Sequence, residues 1–330
     1  MSINTGIPSN DILTEESRLS TSHQRRRTNR TAPKAGLILI VFLLGLGSGY
    51  LAGRQTMRTD IAQAEASSKN RATAMFHQIN PPEGYVIPAT FGNIGPQMLA
   101  AGAIDLDQFS KIYQQANQPL TGEQMAILTV GSVSRININN KNAYFLLNFF
   151  WALGLTNQNP VLTEGPMMAE GRDQAGNYAS TSGWTIGAKP STELYASKLM
   201  ISLTSEEQAR LLEVATTVFR PCCDNPTHFP DCNHGMAMLG LLELMASQDA
   251  TVEEMFDAAK YANAFWYPQK MIEIATYLKV GEKVDFGKAD SRQVVSSRYS
   301  SGSGFQAVHQ WLAANSLLEQ NPSSGASCGV

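Results

Sequence analysis

Between Lys34 and Arg54 the chain reads AGLILIVFLLGLGSGYLAG, residues 35–53, nineteen residues without a charge. No other stretch constrains the fold as strongly. Coiled as a helix, a run of this length reaches about 28 Å, close to the thickness of a bilayer's hydrocarbon core. Gly45, Gly47 and Gly49 weaken a helix little in that setting, and the Gly45-x-x-x-Gly49 spacing lets a second helix approach closely. The run is therefore read as a single N-terminal transmembrane helix. A cleaved signal peptide fits less well, because the apolar core and the polar segment before it are both long for one. Arg18, Arg25, Arg26, Arg27, Arg30 and Lys34 precede the span, and Arg54, Arg58, Lys69 and Arg71 follow it. That asymmetry predicts an N-terminus in the cytoplasm and residues 54–330 outside it. The expected partners are then the membrane, through residues 35–53, and other subunits of a membrane complex.

The flanks differ in character. Residues 1–34 are rich in Ser, Thr and Asn and read as a disordered cytoplasmic tail. Residues 54–80 are polar and Ala-rich, a stalk. PPEGYVIP (81–88) breaks any helix with three prolines. From there to residue 319 the pattern is helix upon helix, with no strand-like alternation of length, so the fold class is all-α: one anchor followed by a compact multi-helix extracytoplasmic domain. Thr121/Gln124, Thr204/Glu207 and Thr251/Glu254 have capping-box spacing and mark three helix starts. KNAYFLLNFFWALG (141–154) is apolar nearly all round, as a helix buried in a core or an interface must be. Helices are also expected over 190–200, 234–247, 268–279 and 305–319. Residues 156–190 form a long Gly/Pro-rich loop, a length that is often functional; Met167, Met168, Tyr178 and Trp184 are placed to pin it to the core. Residues 320–330 make a flexible tail that carries Cys328.

Chemistry concentrates in PCCDNPTHFPDCNHGMAM, residues 221–238, which holds three of the chain's four cysteines and two of its five histidines. Cys222, Cys223, His228, Cys232 and His234 are candidate metal ligands, with Met236 and Cys328 as further candidates. Tetrahedral Cys/His sites suit zinc, and thiolate with thioether suits copper(I). The segment lies between two helices, and the N-terminus of the second would lower the pKa of Cys232. Asp224 and Asp231 flank the cluster, as orienting groups for the histidines or as loop and cap residues. The spacing matches no standard zinc finger, haem-attachment motif or thioredoxin motif. Two alternatives stand beside the metal site: a structural disulfide from Cys232 to Cys222 or Cys223, and a thiol-disulfide redox site using Cys232 with Cys328 as resolving thiol.

Residues 206–265 resemble the exported bacterial proteins named for a Pro-Cys-Tyr-Cys-Gly-Cys motif, the PCYCGC-motif proteins. The shared elements are Arg220-Pro221-Cys222 at the end of a helix, His228, the pair Asp231-Cys232, and an acidic Thr-capped helix from Thr251. The resemblance implies an exported, anchored, helical protein associated with metal, and names no reaction. This chain departs from it at Cys222-Cys223, where the family alternates its cysteines, and at Met236 and Met238, where the family has cysteines in the next helix.

A net charge of −3 with no basic face argues against nucleic-acid binding. No nucleophile elbow, phosphate loop or dinucleotide fingerprint is present. The expected function is that of a membrane-anchored protein binding copper or zinc, and an enzymatic role is the less supported reading.

Overall fold

A computed structural model describes residues 34–318. The expected tail before Lys34 and the segment bearing Cys328 lie outside the described residues. The chain divides into two units, residues 1–65 and 66–330. A helix of 46 residues, α1 (Lys34–Ile79), holds the described residues of the first. Its described side chains from Leu44 to Gln63 are exposed. No helix among the described residues is long and apolar enough to cross a membrane. This corrects the anchor expected at 35–53, and with it the single-pass placement of the chain. The helix does not stop at Arg54 but carries on through Arg58 and Asp60 to Ile79.

The second unit is mostly helical, with a two-stranded antiparallel sheet among its described residues. β1 (Tyr85–Gly92) pairs antiparallel with β2 (Ser132–Ile138), so the expectation of an all-α chain is corrected as well. The signal was short but present: Ile87, Ala89 and Phe91 alternate inward on one strand, Ile136 and Ile138 on the other. The prolines of residues 81–88 hid it. Pro88 cannot donate to a ladder, and the register shifts between Ile87 and Thr90. Between the strands lie α2 (Ile94–Ala101), α3 (Leu106–Gln115) and α4 (Gly122–Thr129). Thr121 and Gln124 cap α4 reciprocally, as their spacing predicts.

The centre of the unit is a pair of buried helices, α5 (Ala143–Thr156) and, after α6 (Ser205–Thr217), α7 (Asn233–Ala246). The all-round apolar character of α5 is explained by this burial. Its side chains are covered within the chain, Tyr144 only in part. The two helices touch backbone to backbone. A Cβ on Gly154 would lie 2.1 Å from the Met236 carbonyl oxygen, and one on Gly240 2.4 Å from that of Phe150. Helix α8 (Val252–Trp266) packs on both, α9 (Pro268–Tyr277) packs on α8, and α10 (Gly302–Ala314) packs on α9. Residues 156–190 coil as short helical turns, pinned where expected: Met167 and Trp184 are buried, and Trp184 Nε1 donates to the Ala103 carbonyl at 2.8 Å. The helix expected over 190–200 is only Ser191–Leu194. Beyond it the chain is drawn out against the end of α5, where Asn157 Oδ1 accepts from the amides of Met200 and Ile201 at 3.0 and 2.9 Å.

Glu243 is fully buried in α7, with Asn157 Nδ2 donating to its Oε2 at 3.1 Å. Burial raises its pKa well above the carboxylate range, partly opposed by that hydrogen bond. The folded chain therefore keeps a proton that the unfolded chain releases above pH ~4.3. Stability from this group is complete below that pH and declines as pH rises, by up to about 1.4 kcal/mol per pH unit. In urea titrations between pH 5 and 8, Glu243→Gln flattens that decline. An unchanged slope in the variant would show the carboxyl to be ionised in the fold.

Candidate metal centre

The cluster loop starts where α6 ends. Thr227 closes it back on the helix, its backbone N and Oγ1 both donating to the Val218 carbonyl at 2.8 and 3.0 Å. His228 N donates to the Ala215 carbonyl at 2.9 Å. The N-terminus of α10 holds the other side: Gly302 N donates to the Cys223 carbonyl at 2.9 Å, and Ser303 N to Asp224 Oδ1 at 2.7 Å. Lys270 on α9 donates to the Pro221 carbonyl. Prolines 226 and 230 limit what freedom remains. The backbone is thus fixed from three helices without any covalent staple.

This scaffold brings three sulfurs together. Cys222 Sγ lies 3.8 Å from both Cys223 Sγ and Cys232 Sγ, and the latter two are 3.9 Å apart. All three are free thiols and half-buried. They form the one group of metal-ligating side chains found among the described residues. The triangle is nearly equilateral, so a point equidistant from its corners is about 2.2 Å from each, against a zinc–thiolate distance of about 2.3 Å.

Each sulfur also receives a hydrogen bond from the protein. Tyr267 Oη donates to Cys222 Sγ at 3.0 Å. Arg220 Nη2 lies 3.1 Å from Cys223 Sγ and 3.3 Å from Cys232 Sγ. Cys232 is the N-cap of α7 and accepts from Gly235 N at 3.4 Å. Arg220 is fully buried; its Nη2 also binds Asp231 Oδ1 at 3.0 Å, and its Nη1 the Asn225 carbonyl at 2.8 Å. The guanidinium lies against Gly235, where a Cβ would come within 2.6 Å of Nη2. Only glycine at this position leaves room for it.

Charge in the cluster is unevenly shared. Hydrogen bonds from Cys222 and Cys223 hold the Cys232 thiol well below its usual pKa, helped by Arg220. The same bonds, to Cys223 and Cys232, push Cys222 up, and burial adds to this. Cys223 is pulled down by its bond with Cys222, but Cys232 and burial outweigh that pull and leave it raised. Burial works against the Arg220 cation, yet the charge on Cys232, Cys223 and Cys222 outweighs it and strengthens the arginine's hold on its proton. The cluster therefore favours ionisation at Cys232, beside the Arg220 guanidinium, over ionisation at Cys222 and Cys223.

The two histidines do not join the sulfurs. His234 Nδ1 faces Asn233 Oδ1 at 2.9 Å, and the ring packs at 4.4 Å on Tyr267 and 6.0 Å on Trp266. Burial lowers its pKa to about 4, so it is neutral at physiological pH. His228 lines a separate cleft of about 730 Å³ together with Pro160, Glu164, Met168 and Leu212. Met236 is fully buried in α7, on the turn whose backbone meets Gly154 of α5. Asp224 caps α10 and Asp231 pairs with Arg220, so neither orients a histidine. Sequence reading missed Arg220, Tyr267 and Gly235. The signal for Arg220 was its place: a lone arginine between an amphipathic helix and two cysteines, in a chain with 16% charged residues. Tyr267 and Gly235 carried no such mark.

No family model, no curated protein and no solved structure matches this chain.

Proposed function

We propose that the chain is a thiolate metal-binding protein that holds one zinc or copper(I) ion on Cys222, Cys223 and Cys232. The observation that supports this best is that every sulfur of a triangle with metal-sized edges has its own protein donor. Hydrogen bonds of this kind stabilise thiolates and orient ligands around a metal. A triangle of neutral thiols has little need of a buried guanidinium, whose desolvation is costly unless negative charge faces it. A structural disulfide is the weaker reading. The loop is already fixed by bonds to α6, α9 and α10, and pairing Cys232 with one neighbour would leave the other thiol and its donor without a role.

Metal analysis of the purified, reduced full chain is expected to give one equivalent of bound zinc or copper per chain after reconstitution. Cys232→Ser should reduce retention at least tenfold. Less than a tenth of an equivalent on the unmodified chain would sink the proposal.

A further inference from the structure

We infer that the ion held by Cys222, Cys223 and Cys232 keeps its fourth coordination position for an external soft donor, an imidazole or thiolate carried by another molecule. The centre would then exchange a ligand, rather than act as a closed structural staple. This inference rests on the metal reading above and deepens it.

Closed structural sites take four protein ligands, whereas sites that work on a bound ligand keep one position free. Here the described residues offer three. No further His, Asp or Glu donor atom among the described residues lies close enough to join all three sulfurs. Asp231 has both oxygens engaged, Oδ1 by Arg220 at 3.0 Å and Oδ2 by Asn225 Nδ2 at 2.9 Å. The His234 ring is fixed by Asn233 and by its packing on Tyr267. Tyr267 has its hydroxyl on Cys222. His228 faces the cleft beside Pro160 and Leu212.

Geometry adds a direction. An ion about 2.3 Å from three sulfurs spaced as these are sits about 0.6 Å off their plane. The last corner of a tetrahedron then points away from the triangle. The three cysteine residues are partly exposed, with the Cys232 thiol the deepest and the Cys223 thiol the shallowest, so a small donor has its approach from the side of Cys223. Cys328, the remaining cysteine of the sequence, lies outside the described residues; it is the one internal thiol that could close the site, and the test includes it.

Cobalt(II) reports coordination through its visible bands and suits the same tetrahedral sulfur sites as zinc. The reduced full chain, kept anaerobic with a non-thiol reductant, is titrated with cobalt(II) and then with imidazole. The expected result is one equivalent of cobalt with thiolate-to-metal charge transfer, and visible bands that shift saturably as imidazole binds. Cys328→Ser should give the same spectrum and the same shift. Bands that imidazole and 2-mercaptoethanol both leave unmoved would overturn the open position while the three-thiolate centre stood. So would a Cys328→Ser variant whose bands differ before any ligand is added. Failure to take up cobalt at all would overturn the metal reading, and this inference with it.

Discussion

Replacing Arg220 with alanine is expected to lower the folding free energy by about 3–5 kcal/mol, the usual cost of removing one partner from a buried charge pair. Three effects act together. Asp231 Oδ1 loses its ion pair, Cys223 and Cys232 lose their donor, and the Asn225 carbonyl loses its own. A cavity the size of the guanidinium adds to the loss. Lysine keeps the charge but lacks the planar fork that reaches the Asn225 carbonyl and the sulfurs at once, so Arg220→Lys should recover only part of the stability. Metal retention should fall with Arg220→Ala even where the variant still folds, because the thiolates then ionise without a counter-charge. Urea unfolding with an unchanged slope measures the first effect. A loss under about 1 kcal/mol would show that the arginine is not the counter-ion of the cluster.

The second large effect is steric. Gly154→Ala should destabilise the chain by about 3 kcal/mol, at the top of the range for overpacking, because the new methyl meets backbone and not a movable side chain. Its Cβ would fall 2.1 Å from the Met236 carbonyl oxygen and 3.0 Å from the Gly240 amide nitrogen. Helices α5 and α7 would have to separate, and α7 carries Cys232 at its N-cap. The variant should therefore weaken metal retention as well, although the substitution lies far along the chain from the cysteines. Gly122→Ala is the control: it starts α4, nothing lies within 4 Å of its added Cβ, and it should change stability by under about 1 kcal/mol. Equal midpoints for the two variants would contradict the close crossing.

These two sites show where sequence reasoning reaches and where it stops. Local chemistry was legible. The three Thr-led capping boxes sit where their spacing placed them, because both bonds of a box lie within four residues. The burial of residues 141–154 followed from an apolar surface with no polar side to turn to water. Cys222, Cys223 and Cys232 do come together, as their density in one loop suggested, but it is hydrogen bonds from α6, α9 and α10 that fold the loop back. Long-range partners were not. Asn157 decides that residues 198–201 are extended, and it lies some forty positions away. Tyr267 reaches Cys222 across 45 positions, and its ring packs on His234.

The central claim is that three thiolates bind the metal. X-ray absorption of the zinc-loaded full chain measures this directly, as the number, type and distance of the atoms in the first shell. The account predicts three sulfurs at about 2.3 Å and one lighter nitrogen or oxygen at about 2.0 Å. A shell of nitrogen and oxygen alone, or one with a single sulfur, would contradict it.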